Sequence, residues 1–167
     1  EYFALLAALA DVPINQSIAI TGSINQKGDY QAIGGATRKV EGFFDVCRMT
    51  RLTGRQGVIL PRTNARNLVL RDDVVEAVRK GKFHVWVIDS VDDGIELLTG
   101  LPAGERQKDG SWTPGSIAAK VDARLRTYAE KAKSFIASAT GNGNGTKSVK
   151  AKRDQPKESP PAKRRRK

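Results

Sequence analysis

The stretch Ile18-Ala-Ile-Thr-Gly-Ser-Ile-Asn-Gln-Lys-Gly-Asp-Tyr-Gln-Ala-Ile-Gly-Gly-Ala-Thr-Arg-Lys39 decides how the chain folds. β-Branched residues alternate with small or polar ones on both sides of a polar turn at 25–29, and a Gly pair then precedes a helical stripe. The pattern predicts a β-hairpin feeding a helix, with Gly34 and Gly35 serving close packing of that helix against a strand. Lys39 falls in the helix's first turn, where the dipole disfavours a cation, and the next residue, Val40, begins the buried face. Desolvation and an unfavourable local field both favour the neutral amine. A lysine prepared in this way can accept a proton.

Upstream, Glu1 to about Ala10 is helical by the spacing of Tyr2, Leu5, Leu6 and Leu9, and it is apolar almost all round. It has no basic leader and reads as a helix of a longer protein rather than a signal peptide. Pro13 stops it by pushing Val12 out of the α region. Downstream, Val40, Phe43, Phe44 and Cys47 define one face of a helix from Gly35 to about Leu52, closed by Gly54. Gln56–Leu60, ending at Pro61, has the continuous apolar run of a strand covered on both faces. A loop rich in Arg and Asn follows. Asp72 to Lys80 reads as a helix with acids first and bases last, ended by Gly81, and Phe83–Ile88 as another strand. Ser90, followed three residues later by Asp93, opens a helix with a capping box that Gly100 and Pro102 finish. The alternation implies an α/β (α+β) domain, a hairpin plus short, mostly parallel strands covered by helices. Residues 103–114 form a polar loop around Trp112. Ile117, Val121, Leu125, Tyr128, Ala132, Phe135 and Ile136 then give the stripe of a docking helix over 115–140, and 141–167 is expected to be a disordered basic tail.

Asp11-Val-Pro-Ile-Asn15, Ala19-Ile-Thr-Gly-Ser23, Ile33-Gly-Gly-Ala-Thr-Arg-Lys39 and Gly57-Val-Ile-Leu-Pro61, taken together, resemble the proteolytic domain of Lon, an ATP-dependent serine protease with a Ser-Lys dyad. The likeness covers residues 1–102. It implies that Lys39 is the catalytic lysine and Thr21 the supporting threonine beside it. The family's nucleophilic serine falls on no residue of this chain; it would sit about five residues before Glu1, at the head of the helix that Glu1–Ala10 continues. This piece by itself is therefore expected to be inactive. The resemblance further implies protein substrates, a hexameric ring, and an upstream motor module that uses ATP and Mg. Gly34-Gly35 is not a P-loop, because no Gly-Lys-Ser/Thr follows at the required spacing, so no cofactor is expected in this chain.

The formal charge of +11 over 167 residues first suggests a nucleic-acid partner. From Thr146 onward, however, ten Lys or Arg face only Asp154 and Glu158, so the tail carries +8 and the rest only +3. The body offers no electrostatic argument for a phosphate-rich partner; Lys163-Arg-Arg-Arg-Lys167 does, through non-specific binding. Cys47 is the only cysteine, which excludes an internal disulfide and fits a reducing, cytoplasmic setting. No apolar run reaches the length of a membrane span. His84 is expected to pack in its strand, Asp89 to start a turn, and Asp72, Asp73, Asp92 and Asp93 to serve as helix-start charges rather than metal ligands. Two functions remain: part of a Lon-type peptidase, or a non-catalytic module of the same fold whose tail binds nucleic acid.

Overall fold

A computed structural model describes residues 1–141. In chain order the elements are α1 (Tyr2–Ala10), β1 (Ile18–Ile20), β2 (Ser23–Ile24), β3 (Tyr30–Gln31), α2 (Ala36–Thr50), β4 (Gly57–Pro61), α3 (Arg62–Ala65), α4 (Asp72–Arg79), β5 (His84–Ile88), α5 (Val91–Thr99) and α6 (Ile117–Gly141). Two compact units divide the chain, Glu1–Glu130 and a second beginning at Lys131, whose described part is the end of α6. The expected basic tail lies outside the described residues.

β4 sits in the middle of a parallel three-stranded sheet, β1-β4-β5, and all five of its residues are buried. A central strand covered by helices on both faces needs apolar side chains in both directions, hence the unbroken Val58-Ile59-Leu60. The pleat sorts them. Val58 and Leu60 join Val40, Phe44, Val74 and Phe83 under α2 and α4, while Ile59 joins Phe3, Ile88, Ile95, Leu98 and Ile117 under α1, α5 and the start of α6. Both parallel crossovers, β1 to β4 through α2 and β4 to β5 through α4, pack on one face. Connections of a single hand that step the same way across a sheet must do so.

The first expectation to fail is the single long hairpin. The alternating run from Ile18 breaks after Ile20: β1 pairs in parallel with β4, and only β2 and β3 form the antiparallel hairpin. The bend lies at Gly22, where an added Cβ would run into the Tyr30 ring. Tyr30 is buried over that glycine, and the backbone turns from one sheet into the other beneath it. Asn25 builds the hairpin turn, its Oδ1 accepting from the N–H groups of Lys27 and Asp29, both at 2.9 Å.

Other corrections are local. α2 ends at Thr50, two residues short of the expected Leu52, because Arg51 leaves the helix with φ 127 and the Gln56 side chain takes over the loop, donating to Arg51 O and accepting from Thr53. The Arg- and Asn-rich loop begins with α3. The polar segment around Trp112 closes into a small hairpin, with Arg106 bridging to Trp112 and its guanidinium 5.0 Å from the indole centroid. The capping box forms as expected: Ser90 Oγ accepts from Asp93 N–H, and Asp93 Oδ2 accepts from Ser90 N–H, both at 3.2 Å. Along α6, Ile117 is buried, but Leu125 and Tyr128 are half exposed.

Candidate active site

Thr21 follows the last residue of β1 and keeps the parallel ladder going for one more bond, its N–H donating to Ile59 O at 3.0 Å. It therefore stands at the carboxyl end of the sheet, the edge at which open parallel sheets gather their functional side chains. Lys39 approaches from the first turns of α2. Its Nζ donates to Thr21 Oγ1 at 3.0 Å, closing a link across eighteen positions of sequence. The two residues singled out in the sequence thus meet. The expected dryness is not found: Lys39 is exposed in this chain. The first turn of α2 is at the surface, and its buried face starts with Ala36 and Val40, not with the lysine between them.

The Gly pair also plays a different part from the one expected. A Cβ on Gly34 or Gly35 would meet nothing within 4 Å, so neither glycine is there for close packing. Gly35 caps α2 with φ 69, a left-handed conformation costly to any residue with a side chain, and its carbonyl accepts the Lys39 N–H at 3.1 Å. Ahead of it, Ile33 is held by Asn64, whose Oδ1 accepts from Ile33 N–H at 3.1 Å and whose Nδ2 donates to Ile33 O at 2.9 Å. Sequence reasoning missed Asn64. Its only signal is its place three residues after the Pro that ends a fully buried strand, in what read as a loop.

The start of α1 is tied to the same region. Phe3 meets the Tyr30 ring edge-on at 6.3 Å and lies against Gly94, where an added Cβ would come 2.7 Å from the Phe3 ring. Tyr30 in turn covers Gly22, next to Thr21. Burial pushes the Tyr30 phenol up to about 12. The amino end of α1 is thereby held on the Thr21 side of the domain.

Remaining candidates resolve into structural roles. His84 Nε2 lies 2.8 Å from Gly54 O, and its ring stacks on Trp86 at 5.1 Å. Asp89 starts the turn into α5 and pairs with Arg62 at 2.7 Å rather than with His84. Cys47 is buried, which pushes its thiol up and away from the reactive thiolate. Asp72 and Asp73 lie in the first turn of α4, and Asp92 and Asp93 in that of α5. Among the described residues no group of three or more His, Cys, Asp or Glu is placed to hold a metal, and no helix is long and apolar enough to cross a membrane.

Comparison with known proteins gives the family. Residues 2–100 match the family described as Lon protease (S16) C-terminal proteolytic domain. A Lon protease homolog of Escherichia coli (strain K12) is 54% identical over 101 residues, covering 60% of this chain and 17% of that protein. Another, from Haemophilus influenzae, is 41% identical over 132 residues, 78% of this chain and 22% of its own length. An archaeal Lon protease of Thermococcus kodakarensis is 31% identical over 94 residues, 56% of this chain and 13% of that protein. The chain thus spans about a fifth of the length of the first two of these relatives. With the mixed α/β fold, the lysine–threonine pair at the sheet's carboxyl end and a match to more than half its length, the chain belongs to the Lon protease C-terminal proteolytic domain family.

Proposed function

We propose that this chain is the C-terminal part of an ATP-dependent serine endopeptidase that hydrolyses peptide bonds of unfolded proteins through a Ser-Lys dyad, with Lys39 as general base and Thr21 orienting it. The observation that carries the reading is the 3.0 Å hydrogen bond between Lys39 Nζ and Thr21 Oγ1. With one N–H engaged by the threonine, the direction of the neutral amine's lone pair is restricted. It takes the proton of a serine hydroxyl as that oxygen attacks the substrate carbonyl, and later returns it to the leaving amine. The serine belongs to a turn upstream of Glu1, on the helix that α1 continues, where free backbone N–H groups also stabilise the oxyanion.

ATP and Mg belong to an upstream motor module that unfolds substrates, and nothing in the described residues is assigned to them. Six subunits forming a ring in the cytoplasm complete the proposal. The deciding experiment is Lys39→Ala, with Lys39→Arg beside it, in the full-length protein. Peptide cleavage is expected to fall by about three orders of magnitude or more, and retained cleavage would overturn the assignment.

A second reading rests on charge, since the segment from Thr146 carries +8 against +3 for everything before it. It makes the chain a non-catalytic module of the same fold whose tail holds nucleic acid non-specifically. Mobility shifts at low and moderate salt, with and without residues 141–167, separate the two. Salt-sensitive, tail-dependent binding by a full-length protein that cleaves nothing supports the second reading.

A further inference from the structure

Lys39 is carried by the start of α2, which packs through Ala36 and Val40 but has a bare cap. Gly34 and Gly35 face open space, the cap residue has no side chain, and no side-chain hydrogen bond caps α2. The backbone just before the glycines is fixed from elsewhere, by the two hydrogen bonds between Asn64 and the N–H and C=O of Ile33. A single carboxamide thus pairs with both polar groups of one residue, as a neighbouring strand would, at a place where no strand lies alongside. Asn64 is itself anchored. It sits on α3, directly after buried Pro61 at the end of β4, and Thr21 bonds to Ile59 of that same strand. The threonine and the clamp on Ile33 therefore share one rigid base, and the chain enters α2 from that clamp through two glycines before Val40 packs on the same strand.

We infer that Asn64 is a positioning residue for the lysine: by pairing with Ile33 it sets where α2 begins and so holds Lys39 Nζ within hydrogen-bond reach of Thr21. This inference rests on Lys39 acting as the base, and it goes beyond that reading in naming what places the base. A small displacement at the start of α2 moves Nζ away from Thr21, and misplacing a catalytic group by an ångström is enough to slow chemistry about a hundredfold. Asn64 acts on the backbone of Ile33 and not on the lysine itself, so the expected loss falls on kcat rather than KM.

Two variants test it. Asn64→Ala removes both bonds; Asn64→Asp keeps the size but at neutral pH loses the donor and sets a carboxylate against the Ile33 carbonyl. In the full-length protein each is expected to lower kcat about tenfold or more with KM changed less than about twofold, and in hydrogen exchange of Asn64→Ala, which removes the acceptor, the Ile33 amide is expected to lose protection while those of β4 and β5 keep theirs. The rate at which a fluorophosphonate labels the serine gives the linkage. Asn64→Ala slows it when Lys39 is present and adds nothing once Lys39→Ala has been made, because the two substitutions disable one function. Unchanged kcat in both variants, or effects of Asn64→Ala and Lys39→Ala that simply multiply, would overturn the inference while leaving Lys39 as the base. Full activity of Lys39→Ala would instead remove the reading beneath it.

Discussion

Gly22 and Tyr30 act as one unit: the tyrosine covers the glycine, and the backbone bend between β1 and β2 exists because nothing projects from that Cα. Gly22→Ala pushes a methyl group into a ring already braced by Phe3. It is expected to destabilise the domain by about 1–3 kcal/mol in urea unfolding, and an unchanged midpoint would show that the hairpin shifts freely. The same burial makes Tyr30 a marker of alkaline unfolding. Its folded value, about 12, lies above the ordinary 10.0, so the folded state favours the neutral phenol. The stability this contributes is complete below 10.0 and is lost as pH rises through about 12. Phenolate absorbance from Tyr30 should therefore appear only near the top of that window, and Tyr30→Phe should remove this part of the alkaline loss. Residues of this kind were only partly legible. Lys39 and Thr21 stood out by motif, whereas the reason for Gly35, its left-handed backbone, and the partner of Asn64, thirty-one positions away, are properties of the folded chain.

Between elements, α2 and α4 are joined by charge, beside a core in which Phe44 of α2 meets Phe83, the residue just ahead of β5, edge-on at 5.2 Å. Arg71 grips Asp45 of α2 with two nitrogens, at 2.7 and 3.0 Å, and Asp73 of α4 with its Nε at 3.1 Å, while its own N–H donates to Glu41 at 2.9 Å. Arg48 adds a bond to Asp73 at 2.8 Å. The Arg71 hydrogen bonds hold the carboxyls of Asp45 and Asp73 below their ordinary range. For a lowered carboxyl the contribution to stability is present above the unfolded value and is lost as pH falls through the folded one. All four side chains are well exposed, so salt screens the cluster. Arg71→Ala is expected to lower Tm more at low ionic strength than at high, and more at neutral pH than in acid; an equal loss in every condition would mean that Arg71 acts through packing alone. At this scale the strands β4 and β5 and the helices α4 and α5 were readable, because periodicity, terminal charges and the Ser90–Asp93 box are local signals. The split of β1 from β2 was not, since alternation continues straight through a bend.

For the whole molecule, the proposed division of labour between this chain and a serine upstream gives a direct expectation. Residues 1–167 expressed alone should neither cleave peptides nor react with a serine-directed fluorophosphonate, and labelling would contradict the proposal. The stretches matched in the first two relatives make up only 17% and 22% of those proteins, so this chain corresponds to a small part of each. How much of this could be read in advance follows from the range of the forces involved. Chain order, the apolar centre of the sheet and the ends of most helices are written in short spacings, and neighbouring residues alone suffice to express them. The meeting of lysine with threonine, the exposure of that lysine, the bend under Tyr30 and the grip of Asn64 on Ile33 depend on segments far apart in sequence. Contacts of that kind exist only once β4 has brought β1, α2 and α3 around itself.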